Sequence, residues 1–418
     1  MFVILLLPYL QTVLHFTEVK PLQGAVVLSE DTVFTFKEWF SGHYQEKKEK
    51  YLNENFGFRN IFVRLNNQLA FWMFNKPKAN GIVIGKENYL YEMSYIDGYT
   101  GRTFIGEKAW RERMEKIKYI QDALQEMGKT LILILAPGKA SFYPEYIPPK
   151  LLKGKDTTNY ECAIKLAKEM NINCIDFNDY FNKKKGKTEY PLYPRLGVHW
   201  SYYGYTIASD SIIKYIEKKR NIRMPHLYWK EVEFDYPREK DDDAAEAMNL
   251  LFEIPTEKLA YPKVLFESDS NKTKPNVLAV SDSYYWGPYS LSISNAFGLS
   301  HFWFYYREAY PESYTTKTDP TTFNLKDEID KHDVFILMAT EATLDKLGWN
   351  FIENVYDLLK ISKNNQYDMS FWDKVIKIKD KMRSDQKWKD YLIQKAKEKN
   401  ISLDSMMTID AIWMIQNQ

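Results

Sequence analysis

Apolar and polar positions change their spacing several times along the chain, and each change marks an element. Thr130-Leu131-Ile132-Leu133-Ile134-Leu135-Ala136 is apolar without alternation and stops at Pro137-Gly138-Lys139, the pattern of a strand buried on both faces. Val277-Leu278-Ala279-Val280 and Val334-Phe335-Ile336-Leu337-Met338 repeat it, and Cys174-Ile175-Asp176-Phe177 is a shorter version. Between these runs, apolar residues recur at helical spacing from Glu107 to Gly128, from Thr158 to Met170 and from about Tyr203 to Lys219. Helices alternating with apolar strands predict an α/β fold, a parallel sheet with helices on both faces. Upstream, Thr35 to Phe74 reads as helix interrupted at Gly57, and Gly81–Gly85 with Tyr89–Tyr91 reads as a hairpin turning at Lys86-Glu87-Asn88. The stretch 224–273 carries Asp241-Asp242-Asp243, several prolines and little periodicity, which predicts a long irregular insertion. Beyond about Ser362 the chain becomes Lys-rich amphipathic helix without a strand, a helical extension over 363–418.

The beginning of the chain has a different character. Met1 to Phe16 carries no charged residue, and polar sequence starts at Thr17. The run is shorter than the roughly 20 residues that span a bilayer, contains Pro8 and Gln11, and has neither a basic start nor a small-residue cleavage site. Residues 1–17 are read as a membrane anchor or uncleaved signal, with a buried core helix as the alternative. As an anchor it places the main domain, 18–362, outside the cytoplasm.

Composition narrows the function classes. In 418 residues, 57 basic side chains face 56 acidic ones for a net charge of +1, so the chain lacks the electrostatic footprint of a nucleic-acid binder. Aromatic residues make up 16% of it, with 31 Tyr and 11 Trp, and a flat apolar ring with a polar tip suits stacking on sugars. Two cysteines, Cys162 and Cys174, form no disulfide framework, no Cys/His spacing suggests a metal, and no cofactor motif stands out.

Ser281-Asp282-Ser283 sits where the strand 277–280 stops, and ligands of open α/β sheets bind beyond the carboxyl ends of the strands. A serine nucleophile needs a base. Of the six histidines, His199 has the best setting: Gly197 permits a close backbone approach, Trp200 can pack beneath the imidazole, and Ser201 can cap the next helix.

These segments carry a resemblance. Gly197-Val198-His199-Trp200 is similar to the Asp-x-His-Trp motif of the SGNH-hydrolase-like domains of alginate O-acetyltransferases and related exported polysaccharide O-acetyltransferases. Asn55–Asn60 resembles that family's Phe-x-x-Arg block, Val83–Tyr91 its hairpin, Ala136–Lys139 with Tyr143-Pro144-Glu145 its Pro-x-Lys and Tyr-Pro-Glu pair, and Ser281–Tyr284 its nucleophile block. The resemblance runs from about 35 to 350. It implies an SGNH-hydrolase-like (flavodoxin-like) sheet with the permuted order in which the histidine precedes the serine. It also implies a nucleophile at Ser283, a base at His199, and an acyl-serine route from a membrane-exported donor to a glycan hydroxyl. The acid position falls on Gly197, which cannot support an imidazolium, so Glu341, Asp282 and Asp333 become the candidate substitutes. Trp200, Tyr284, Tyr285, Trp286, Tyr305 and Tyr306 are the candidate sugar-stacking residues. The expected function is a periplasmic or otherwise extracytoplasmic O-acetyltransferase for a polysaccharide or surface glycan, held at the cytoplasmic membrane and supplied by a multipass membrane acyltransferase. The alternatives are a carbohydrate esterase with the same Ser-His pair, or a silent glycan-binding domain.

Overall fold

The computed structural model describes residues 2–24, 29–311, 317–362, 369–399 and 403–417. Its strands are β1 (Ile82–Ile84), β2 (Leu90–Glu92), β3 (Thr130–Ala136), β4 (Cys174–Asp176), β5 (Leu227–Asp235), β6 (Leu259–Phe266), β7 (Val277–Ser281), β8 (Ser300–Phe304), β9 (Glu308–Pro311) and β10 (Val334–Thr340). Six of them form one sheet in the order β4-β3-β10-β7-β8-β9. It is parallel except at β9, which returns antiparallel along β8. The three apolar runs thus lie side by side at the centre, with Leu337 opposite both Leu133 and Val280.

Because side chains alternate across a strand, each run feeds two cores. Ile132, Ile134, Ala279, Ile336 and Met338 face one layer, which includes the helix Tyr202–Arg220. Leu131, Leu133, Leu278, Val280, Phe335 and Leu337 face the other, with the helices Glu107–Glu126, Asn159–Glu169 and Phe351–Ser362. Every residue of β10 is buried, and burial of each Leu or Ile contributes about 1.5–3 kcal/mol. The C-terminal helices Met369–Ser384, Gln386–Glu398 and Leu403–Gln416 join this second core through Trp372, Val375, Met382, Leu392, Met406 and Met407. The expected boundary at 362–363 adjoins residues 363–368, which lie outside the described set.

The hairpin β1–β2 forms with its turn at Lys86–Asn88. The segment 224–273, expected to be irregular, instead contains the antiparallel pair β5–β6 with a short helix, Asp243–Ala247, between the strands. Its pattern is weak because β5 carries Lys230, Glu231 and Glu233 on a largely exposed ribbon and β6 contains Pro262. At the start of the chain Phe2–Leu14 is helical, with Leu6, Tyr9, Val13 and Leu14 exposed. Among the described residues no helix is long and apolar enough to cross a membrane.

Candidate active site

Parallel pairing brings the carboxyl ends of β3, β7, β8 and β10 to one edge of the sheet, and Ser283 stands there, two residues beyond the end of β7. Asp282 fixes that turn. One carboxylate oxygen accepts the Tyr284 N–H at 3.0 Å, and the other accepts the Thr340 N–H (2.8 Å), the Thr340 hydroxyl (2.8 Å) and the Thr343 hydroxyl (2.6 Å), tying the ends of β7 and β10 together.

His199 precedes the helix Tyr202–Arg220, whose first turn is capped by the Ser201 hydroxyl accepting from the Gly204 N–H. The backbone before the imidazole is held from three sides. Lys139, fully buried over the rings of Tyr89 and Tyr91, donates its ammonium to the carbonyls of Arg195 (2.6 Å) and Gly197 (2.7 Å). The Tyr284 hydroxyl donates to Val198 O at 3.0 Å, and the Ala245 N–H donates to Leu196 O. Burial drives the Lys139 ammonium well below the ordinary lysine range, against the opposing pull of Asp243.

The two segments meet. Ser283 Oγ lies 2.8 Å from His199 Nε2, and His199 Nδ1 lies 2.6 Å from Asp243 Oδ2. A carboxylate only accepts, so Nδ1 carries the proton and Nε2 is left to accept from the serine hydroxyl. The second Asp243 oxygen accepts the Val198 N–H at 2.8 Å, which fixes the carboxylate against the residue preceding the imidazole. Burial alone would lower the His199 pKa, but the charge and hydrogen bond of Asp243 outweigh it and the ring stands above its usual value. Burial would likewise raise Asp243, whose carboxyl is nevertheless held below its usual value by His199. This is the Ser-His-Asp arrangement, recognised by geometry rather than by sequence position.

None of the three acids expected from the sequence reaches the imidazole. Asp282 spends its carboxylate on the two strand ends. Glu341 accepts from the Gly138 N–H at 2.9 Å and from the Ser141 hydroxyl, joining the ends of β3 and β10, and burial pushes it up to about 7. Asp333 precedes β10 at the opposite edge of the sheet, accepting from the Asn276 N–H and facing Arg220. Asp243 was missed because it lies 44 residues beyond His199, within the segment read as irregular. The available signal was the acidic run 241–243 inside a long loop. Asp241 is itself buried, which raises its carboxyl to about 8.

Gly197 has a steric reason. A Cβ there would lie 2.5 Å from Asp241 O and 2.8 Å from Asp241 C, because the segment that delivers Asp243 runs through that space.

A cavity of about 360 Å³ opens over Ser283, lined among others by His199, Asp243, Tyr205, Trp286 and Ser290. Trp286 is partly exposed there. Four of the expected sugar-stacking residues are core instead. Trp200 packs against Phe177, Phe181 and Tyr284, and Tyr284 is fully buried. Tyr285 packs on Phe302, and Tyr306 accepts from Asn354 Nδ2. Tyr284 and Tyr285 line neither cleft, and Trp200 and Tyr306, 1% and 7% exposed, add little open surface to theirs. Tyr305 is partly exposed, its N–H donates to Ser281 O at 2.9 Å, and Ser283 lies near enough to oppose the rise that burial gives its hydroxyl pKa.

At the far edge of the sheet, His301, Glu328 and His332 bring potential metal-ligating atoms within 4.8 Å of one another. Glu328 there already pairs with Lys331 and His301.

The sequence is similar to known proteins over part of its length. Residues 82–256 match the family described as the SGNH hydrolase-like domain, acetyltransferase AlgX. A protein called probable alginate O-acetylase AlgJ from Pseudomonas syringae pv. tomato is 23% identical over 179 residues, 43% of this chain and 44% of that protein. Its namesake from Pseudomonas putida is 20% identical over 179 residues, 43% and 45% of the two chains. The chain therefore spans under half the length of these curated relatives. Among solved structures, the O-acetyltransferase domain of Pseudomonas putida AlgJ aligns with TM-score 0.42 and 15% identity, over 68% of this chain and 99% of that one. Pseudomonas aeruginosa AlgX aligns with TM-score 0.42 and 15% identity, over 65% and 67%. The matched segment includes His199 and Asp243 but ends before Ser283.

Proposed function

The chain resembles the SGNH-hydrolase-like, AlgX/AlgJ type of protein, and from that premise we propose that it is an acetyltransferase acting through an acyl-serine at Ser283 on hydroxyls of a polysaccharide or surface glycan. The observation that carries this reading is the continuous relay Ser283–His199–Asp243, at 2.8 and 2.6 Å. In the first half-reaction Ser283 Oγ attacks the donor's acetyl carbonyl while its proton passes to His199 Nε2. The tetrahedral intermediate collapses, and the imidazolium returns the proton to the leaving group. In the second, His199 takes the proton of a sugar hydroxyl whose oxygen attacks the acyl carbon, and the proton then returns to Ser283 as it departs.

The oxyanion needs donors aimed at it. The Tyr284 N–H is committed to Asp282, so the oxyanion would take the Ser283 N–H, which is now directed at the Tyr305 oxygen, with the Tyr305 hydroxyl as second donor. Tyr305 and Tyr306 both hold the left-handed backbone at φ 52°, a conformation costing about 1–3 kcal/mol that persists where surrounding structure enforces it.

The reading includes attachment at the outer face of the cytoplasmic membrane through the uncharged N-terminal segment, and a multipass membrane acyltransferase as acetyl supplier. The support is the apolar exposure of Leu6, Tyr9, Val13 and Leu14 together with the resemblance.

The test is incubation with an activated acetyl ester followed by peptide mass spectrometry. One acetyl group is expected on the peptide bearing Ser283, passing to a supplied oligosaccharide. No adduct, or an adduct at another residue, would overturn the nucleophile assignment. Free acetate as the only product would make the protein an esterase. The pH dependence follows from the relay: only neutral His199 accepts a proton, and its pKa is raised. The kcat/KM for ester is therefore expected to fall on acidification along a limb centred above the ordinary histidine value of about 6.5. A stopped or steady-state pH profile checks it.

A further inference from the structure

Beyond Tyr305 the surface continues into a second, larger cleft of about 550 Å³, and its wall is built in part by the C-terminal helices, outside the segment that matches a known family. Resting on the function proposed above, we propose that this cleft seats an oxyanion-bearing part of the acceptor glycan, a carboxylate or phosphate carried on the sugar chain, and leads that chain across Tyr305 to Ser283.

The charges around the cleft are lopsided in a chain whose net charge is only +1. Arg113, Arg307, Lys346, Arg383 and Lys389 line it with two acids, Asp345 and Glu353; Lys346 faces Asp345, Arg383 pairs with Asp380 and Arg113 feels both lining acids, so the excess rests on Arg307 and Lys389. Such an excess in a concave site favours an anionic ligand. Arg113 is fixed as a wall: its Nη1 donates to the carbonyls of Leu344 and Asp345 while its guanidinium lies over Trp110. Its Nη2 has no hydrogen-bond partner among the described residues. The side chains of Arg307 and Lys389 likewise have no ion-pair partner among the described residues, whereas many lysines elsewhere in the chain sit on a carboxylate, as Lys118, Lys183, Lys214 and Lys326 do. A guanidinium and an ammonium without an ion-pair partner, as in Arg307 and Lys389, are suited to carboxylate or phosphate.

The aromatic side of the cleft is suited to a sugar. Trp349 meets Tyr305 edge to face at 5.2 Å, and both are partly exposed. Trp349 and Asn350 hold positive φ, 44° and 80°, beside the strained pair Tyr305-Tyr306. Two left-handed non-glycine pairs facing one cleft fix the aromatic rings at its mouth. Tyr305 lines this cleft and its N–H donates to Ser281 O at 2.9 Å, two residues before Ser283, so a chain seated here lies beside the turn that carries Ser283. The C-terminal extension then has a purpose besides packing, since Arg383 and Lys389 come from two of its helices and Met407 from the third.

Calorimetric titration of the full chain with three probes separates the sources: a uronic-acid oligosaccharide, a polyol-phosphate oligomer and a neutral glucose oligomer. At least one anionic probe is expected to bind, weakening as salt is raised, while the neutral one does not; the tighter of the two anions identifies which oxyanion is recognised. Arg307→Gln with Lys389→Gln is expected to weaken that binding by about tenfold for each charge-assisted contact removed. Arg307→Lys with Lys389→Arg should retain most of it, and Lys326→Gln, elsewhere on the surface, should leave it unchanged. Equal binding of the neutral probe, no binding of either anion, no salt dependence, or an undiminished double variant would each overturn the proposal. Binding is read without turnover, so its failure is distinct from failure of the acyl-serine reading, which the adduct experiment decides.

Discussion

Asp243→Asn is expected to lower turnover of an activated acetyl ester by roughly 10⁴-fold while leaving the protein folded, the size of effect seen when a serine triad loses its acid but keeps its geometry. The amide oxygen can still accept the Val198 N–H, as one carboxylate oxygen now does at 2.8 Å. The amide NH₂ would then face His199 Nδ1, where a carboxylate oxygen stands at 2.6 Å. A donor facing Nδ1 favours the tautomer with the proton on Nε2, and Nε2 is the atom that must take the Ser283 proton. The pH profile should change with the rate. Without the Asp243 charge, burial, the largest influence on the ring, lowers it against the smaller pull of Asp282 and Glu92, so the acidic limb is expected to move to lower pH. Steady-state rates across pH, with thermal melting as the control for folding, decide it. A variant that kept within about tenfold of the parent rate would mean that Asp243 is not the supporting acid. Asp333→Asn, at the far edge of the sheet, is expected to change the rate little.

Much of this arrangement was legible because it is local. Buried parallel strands need unbroken apolar runs, so β3, β7 and β10 stand out, and with them the edge where Ser283 sits. His199 is legible from its neighbours, since the Ser201 cap and the helix it starts are contiguous with it. Asp243 depends instead on tertiary structure: β5 runs along the surface of the domain as a largely exposed strand, the short helix Asp243–Ala247 follows, and only then does the carboxylate reach the ring. Nothing local distinguishes it from Asp242, which does not contact His199. Aromatic composition misled for a related reason. Trp200, Tyr284 and Tyr285 are amphipathic enough for a sugar site, but here they fill the core beneath the imidazole and the nucleophile turn. The rings left accessible, Trp286, Tyr305 and Trp349, lie beside the nucleophile and along the cationic cleft.

Gly197→Asp restores on paper the acid that the sequence motif lacks, and it is expected to abolish activity. Its Cβ would stand 2.5 Å from Asp241 O and 3.0 Å from Pro194 Cγ, before any carboxylate is placed. Neither neighbour is the end of a flexible side chain. Relief requires moving the backbone at Asp241, and Asp243 lies two residues further on the same segment, so the shift withdraws the working acid from His199. The displaced backbone also disturbs a loop held by Lys139 and Ala245. Overpacking of this kind typically costs about 1–3 kcal/mol, and the buried, unpaired carboxylate adds to it. The expected result is a lowered melting temperature together with ester turnover as low as that of Asp243→Asn. Combining Gly197→Asp with Asp243→Asn tests the steric argument most sharply: two sites for one acid that cannot coexist in space should not complement each other. Recovery of turnover in the double variant would show that an acid at 197 can reach the imidazole, and that the hairpin segment, rather than displacing it, had merely duplicated its role.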